Sequence, residues 1–318
     1  MSNKEMCLII SLGDNIGHDS TTRPTAHNEL FQTKMLTEKS AWDEIVIRAK
    51  EVGITTLVID LADGINYKSH PELWLSEGGW TPEYMTEEVR RLKAMGFNVV
   101  PMLNFSAAHD AWLGEYGRML GTSYYYKVVK DLIYEVCDIF ESPELFHIGM
   151  NDENEASQKT LTYACYRQFE LLMHDVNFMI QCLRDKGARP WMWADIAAKD
   201  FEVFEANIEK DVVVSPYYID SLFYDPILPM STLPSDVNMR ESYKKLTVAG
   251  YEIIPCGSNC VASGYSLDHN VRFAMENAVE DKVKGFMMAS GRSTNERNKY
   301  RYFAALQHVK RAKEKFNI

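Results

Sequence analysis

Nothing in the sequence approaches the run of about 20 apolar residues that a membrane-spanning helix requires, so no membrane partner is expected. No G-x-G-x-x-G and no P-loop pattern follows any apolar run, which removes the usual phosphate cradles of nucleotide-binding sheets. Positive charge is short as well: Lys and Arg total 34 against 45 Asp and Glu, a formal net charge of -11. Nucleic acid is therefore excluded as a partner, because polyanion binding ordinarily leaves a basic footprint. The six cysteines, Cys7, Cys137, Cys165, Cys182, Cys256 and Cys260, are scattered, and five lie in or beside apolar runs, the habit of reduced core thiols rather than of a disulfide framework. Cys256 and Cys260 stand four apart with no second pair near them to complete a zinc site. The eight histidines are dispersed, with no H-x-H after the first apolar run. No metal and no cofactor is expected. After the opening MSNKEM, the stretch CLIISL is too short for a signal-peptide core, so the chain is expected to be cytoplasmic or an already trimmed exported form.

What the sequence does have is 46% hydrophobic and 25% charged residues in a chain of 318, enough for one large core. Short apolar runs rich in β-branched and aromatic residues alternate with amphipathic stretches of helical length, the mark of βαβ units. The spacing predicts strands at Cys7–Leu12, Thr56–Leu61, Asn98–Leu103, Leu145–Gly149, Pro190–Ala194, Val212–Ser215, Glu252–Pro255 and Gly285–Ala289. Helices are predicted at Glu38–Val52, Pro82–Met95, Ser123–Phe140, Ser157–Lys186, Lys199–Ile208, Asn238–Ala249, Asp268–Asp281 and Glu296–Phe316. Gly53, Gly96, Gly187 and Gly250 fall where left-handed helix C-caps belong. Eight units without a linker point to an α/β fold, a single-domain (β/α)8 TIM barrel spanning residues 1–318. The two longest connections, Gly13–Thr37 and Ala62–Thr81, both follow strands and so reach the C-terminal rim, where such barrels carry their sites.

The fourth strand runs out as His147-Ile-Gly149-Met-Asn-Asp152-Glu153-Asn-Glu155, an acidic cluster at that rim. Sugar cleavage needs a proton donor for the glycosidic oxygen and a second group for the oxocarbenium-like centre. Neighbouring carboxylates at a strand end point in different directions and divide these tasks when the substrate supplies its own nucleophile. The bland alternative is that Asp152, Glu153 and Glu155 cap the following helix.

The stretch resembles the H-x-G-x-D-E motif that ends the fourth barrel strand of the family 20 glycoside hydrolases, the β-N-acetylhexosaminidases, read here with one extra residue before Asp152. Asp60-Leu-Ala-Asp63-Gly64, Tyr67-Lys-Ser-His-Pro71, Thr81-Pro-Glu-Tyr-Met, Val99-Val-Pro101-Met-Leu-Asn104 with His109, and Pro190-Trp-Met-Trp193-Ala-Asp195 are similar to further segments of that family. The resemblance covers roughly residues 40 to 200. No Trp-Gly-Glu segment stands near the eighth strand, and only Arg23 offers itself for the family's sugar-gripping arginine. The resemblance implies substrate-assisted retaining hydrolysis of a terminal N-acetylhexosamine, with Glu153 as general acid and base and Asp152 orienting the acetamido group. It also implies a carbohydrate substrate met by His109, His147, Asp60 and Asp195. Trp112, Trp193, Tyr217 and Tyr218 are expected to supply the apolar faces on which a pyranose packs.

Two other classes remain open at this point. A conventional retaining glycosidase needs a second carboxylate about 5 Å away, for which Asp195 or Asp220 is available. A non-catalytic carbohydrate-binding barrel would use the same aromatic pocket, with the shifted carboxylate out of reach of the glycosidic oxygen. Helix faces of such barrels often pair, so a homo-oligomer is an open expectation.

Overall fold

Alternation along each strand sorts side chains to opposite faces of the sheet, and here both faces are buried. In β1 (Glu5–Ser11), Cys7 and Ile9 enter a compact inner cluster with Val58, Val100, Met102, Trp191, Trp193, Val213 and Met287, while Leu8 and Ile10 enter the larger cluster that includes the helices. A sheet with two apolar faces must be curled around one layer and covered by another, which is the barrel solution. The computed structural model describes residues 4–22, 30–159, 161–218, 234–260 and 264–318.

The remaining strands are β2 (Thr56–Asp60), β3 (Asn98–Met102), β4 (Leu145–His147), β5 (Arg189–Trp193), β6 (Val213–Ser215), β7 (Cys256–Ser258) and β8 (Gly285–Ser293). All ladders are parallel, in the order β6-β5-β4-β3-β2-β1-β8-β7. Among the described residues β6 and β7 meet through isolated bridges, Val214 with Ile253 and Tyr217 with Cys256, which bring the two ends of the sheet together. The helices are α1 (Lys39–Val52), α2 (Pro82–Ala94), α3 (Ser123–Ile139), α4 (Phe169–Asp185), α5 (Asp195–Lys199), α6 (Phe201–Asn207), α7 (Pro234–Val248), α8 (Ser266–Asn277) and α9 (Lys299–Phe316). The expected TIM barrel is the fold found. Gly53, Gly96, Gly187 and Gly250 all carry positive φ at helix ends, as their placement in the sequence predicts.

Three expectations are corrected. The fourth helix starts at Phe169 and not at Ser157: after a single tight turn at Ala156–Gln158, the chain is stitched down as a loop by Gln158 Oε1, which accepts the Cys165 amide at 2.6 Å, and by Asp19, which takes the Thr162 amide. The seventh ladder is Cys256–Ser258 and not Glu252–Pro255, which pairs with its neighbours only through single bridges of Ile253 to Val214 and to Val283. The fifth helix, expected at Lys199–Ile208, runs Phe201–Asn207 and is preceded by a further short helix, Asp195–Lys199, the two parted at Asp200, whose extended backbone (φ -151°) lets its carboxylate cap the Val203 amide at 3.1 Å.

The exit from β4 sets up everything at the rim. Gly149 has φ 75°, and a Cβ there would lie 1.9 Å from Asn104 Oδ1 and 2.7 Å from Asn104 Cα. Gly149→Ala is therefore expected to destabilise the fold by more than about 2 kcal/mol in denaturant unfolding, since neither the backbone angle nor the space admits a methyl group. An unchanged midpoint would show that the β4 exit is not held this tightly.

Candidate active site

Beyond Gly149 the chain twists through two further left-handed residues, Met150 (φ 70°) and Asp152 (φ 57°). Non-glycine residues hold such angles only where their surroundings fix them, each at a cost of about 1 kcal/mol or more. The fixing comes from Asn104 after β3: its Oδ1 accepts the Met150 amide at 3.3 Å and the Ser106 amide at 3.1 Å, and its Nδ2 donates to Asn151 Oδ1 at 2.9 Å.

The twist sends Asp152 and Glu153 into different surroundings. Asp152 keeps 38% of its side chain exposed and Glu153 only 4%. Asp152 accepts from Asn151 Nδ2 at 3.0 Å and Ser157 Oγ at 3.2 Å, and His109 Nε2 stands 3.9 Å from its Oδ2. Both oxygens of Glu153 are occupied from within the protein. Oε1 accepts the Arg167 amide at 2.7 Å and Arg167 Nη1 at 3.1 Å; Oε2 accepts the Ala107 amide at 2.8 Å and Nη1 at 3.3 Å. Arg167, fully buried, also donates to Asp175 at 2.7 Å, to the Phe105 carbonyl at 3.2 Å and to the Tyr125 hydroxyl.

A third carboxylate lies beside Asp152. Asp195, first residue of α5, accepts the Asp152 amide and the Tyr217 hydroxyl through one oxygen, each at 3.0 Å, and among the described residues its other oxygen has no hydrogen-bond partner. Burial raises Asp195 to about 7, with the charge of Asp152 adding to the rise. Asp60, at the end of β2, is likewise pushed to about 7 by burial and by Asp63, and its Oδ1 has no partner among the described residues. His109 is held below its ordinary value by burial, while Asp152 and Glu153 pull the other way, and its Nδ1 lies 3.1 Å from Ser106 Oγ.

Of the residues expected to meet a sugar, Trp193 and Tyr217 stand together at the rim in an edge-to-face pair with centroids 5.5 Å apart, next to Asp195. His109 joins Asp152 there. His147 does not reach the surface: it is fully buried inside the barrel between Trp191 and Trp193, its Nδ1 accepts the Gly149 amide at 3.0 Å, and burial pushes it down to about 3, so it stays neutral. The expected platform Trp112 is also core. It is 1% exposed, packs on Tyr67 and Phe105, and donates its indole N–H to the Asn104 carbonyl at 3.1 Å. Tyr218 is buried, with its carbonyl tied to Ser266 and Asn270 at 2.8 Å each, and offers no open face. Arg23 and Asp220 lie outside the described residues.

Sequence reasoning missed Asn151, Asn104 and Arg167. Asn151 had a signal: counted strictly from His147, the pattern H-x-G-x-D-E falls on His147, Gly149, Asn151 and Asp152 with no extra residue, Asn replacing Asp and Asp replacing Glu. Arg167 was hidden inside a stretch read as helix.

No protein-family model matches the chain, and no curated protein matches it. Solved structures share its fold. The β-N-acetylhexosaminidase from Bacteroides fragilis superposes with a TM-score of 0.66 at 14% identity, over 97% of this chain and 65% of that one. Dispersin B gives 0.63 at 13% identity, over 97% and 99%. The chitobiase of Flavobacterium johnsoniae gives 0.59 at 14%, over 98% and 52%, so this chain spans about half the length of that protein. At such identities the likeness establishes the barrel.

The raised Asp60 carries a sign. Its folded-state value of about 7 exceeds the ordinary 3.8, so its contribution to stability is complete below about pH 4 and is lost as pH rises through 7. Asp60→Asn is expected to be more stable than wild type at pH 8 by roughly 2–4 kcal/mol relative to their difference at pH 4. Parallel stability curves for the two proteins across that range would contradict it.

Proposed function

We propose that this chain is a glycoside hydrolase acting on a terminal N-acetylhexosamine, with Asp152 and not Glu153 as the group that exchanges protons with substrate. The observation that carries this reading is the division between the two neighbours: one carboxylate open at the barrel mouth, the other sealed beneath it in an ion pair. A general acid must come within hydrogen-bond reach of the glycosidic oxygen, and a carboxylate with both oxygens occupied inside the protein does not.

In this reading Asp152 gives its proton to the glycosidic oxygen as the bond to the anomeric carbon breaks. The acetamido oxygen of the substrate attacks that carbon and forms the cyclic intermediate. Asp152, now ionised, takes a proton from the water that opens it, and the configuration is retained. Asn151, bound to Asn104 and to Asp152, takes the orienting role earlier given to Asp152, by hydrogen bonding and without a charge. Trp193 and Tyr217 form one wall for the ring, and His109 stands behind Asp152, its Nε2 3.9 Å from Asp152 Oδ2. The named activities of the Bacteroides and Flavobacterium neighbours, a β-N-acetylhexosaminidase and a chitobiase, support the choice of sugar.

A second reading has its own observation. Asp195, beside Asp152 and with one oxygen unpartnered, is placed to serve a conventional two-carboxylate mechanism, and the absence of charge on Asn151 favours substrates without an acetamido group.

Paired aryl glycosides, acetamido and plain, separate the two. Asp152→Asn is expected to lower kcat by roughly 10²- to 10⁴-fold, the ordinary weight of a general acid, with the melting temperature nearly kept. Glu153→Gln is expected to lose about 3 kcal/mol of stability, since it removes one of the two buried carboxylates that pair with the Arg167 cation. The reverse pattern would return the acid role to Glu153. Cleavage of plain glycosides would favour Asp195 as a protein nucleophile, and binding of sugars without cleavage would make the chain a carbohydrate-binding barrel.

A further inference from the structure

Arg167 touches no part of the open mouth, yet every tie that fixes the residue next to Asp152 passes through it or beside it. Its backbone amide and its Nη1 both hold Glu153, and its Nε, Nη1 and Nη2 reach Asp175 on α4, the Phe105 carbonyl after β3 and the Tyr125 hydroxyl on α3. The Ala107 amide, from the same loop as His109, closes on the other oxygen of Glu153 at 2.8 Å. Two loops of the rim, those after β3 and β4, and two helices are thus tied around one arginine. Adjacent Cα atoms are a fixed 3.8 Å apart, so a shift of Glu153 moves Asp152 directly.

We propose that Arg167 is a positioning residue for the reacting centre: through Glu153 it holds Asp152 in its left-handed conformation opposite His109. The inference rests on the reading of Asp152 as the proton-exchanging group, and it adds a residue that contacts neither substrate nor Asp152. The planar fork matters more than the charge, because four acceptors lie around it in different directions. A lysine ammonium carries the same charge with three donors at a single point and cannot span them.

Arg167→Lys tests this. The expected result is a fall in kcat of roughly 30- to 100-fold, the penalty of about 1 Å of misplacement, with KM within threefold of wild type. Wild-type kcat in the folded lysine variant would overturn the proposal. A second pair of variants separates positioning from mere stability. Arg167→Met alone strands Glu153 and Asp175 in the interior, whereas Arg167→Met with Glu153→Leu and Asp175→Asn removes all three charges and is expected to recover most of the lost melting temperature. Turnover is expected to stay low in the triple variant. Recovery of turnover together with stability would reduce Arg167 to a structural role. Failure of the substrate assignment is distinguished by a readout that needs no substrate, the ring resonances of His109, 3.9 Å from Asp152, in NMR spectra of the apo protein. These are expected to shift in folded Arg167→Lys whether or not any glycoside is cleaved; unchanged resonances would overturn the proposal.

Discussion

The rim of this barrel depends on a buried chain of charge, Glu153 to Arg167 to Asp175, whose members are almost wholly removed from water. Two charges in an apolar interior are tolerated only when their hydrogen-bonding capacity is filled, and here it is filled from loops after β3 and β4 and from helices α3 and α4. The requirement runs in both directions. The ion pair persists because the loops converge on it, and the loops converge because the ion pair would otherwise be stranded. Asp152 is the immediate neighbour of the residue that closes the charge chain, and its left-handed backbone is held on the other side by Asn104, through Met150 and Asn151, and by Asp195, which accepts its amide.

The barrel was legible in the sequence because its signals are repeated. Inward and outward residues alternate through Cys7 to Ile10, and four glycines mark helix ends just before strands. A local irregularity in one unit does not disturb that count. The departures are local. The seventh ladder begins at Cys256, beyond the expected segment, Asp200 parts a short extra helix from the expected fifth one, and Gln158 with Asp19 holds Thr162 and Cys165 as loop where their spacing would allow a helix.

The candidate site was legible by type and misread by register. The acidic cluster after β4, His109, Trp193, Asp195 and Tyr217 do come together at the rim, but which carboxylate faces outward is decided by backbone angles at Gly149, Met150 and Asp152, and left-handed residues other than glycine leave little trace in composition. His147, Trp112 and Tyr218 share a different lesson. A polar or aromatic residue near a strand end belongs to the mouth only if its side chain points there; His147 points into the barrel, where it meets Trp191 and Trp193.

The junction of β6 with β7 closes the barrel beside the acidic cluster. Among the described residues the two segments are joined by two bridges, one of them at Tyr217, and by backbone hydrogen bonds from the amides of Val214, Ile254, Cys256 and Tyr218 to the carbonyls of Glu252, Val214, Pro216 and Cys256. Tyr217 also holds Asp195, which receives the Asp152 amide. One residue thus belongs both to the wall that closes the barrel and to the hydrogen bonding of the carboxylates, so a change made at Tyr217 to alter the site also alters the closure of the sheet.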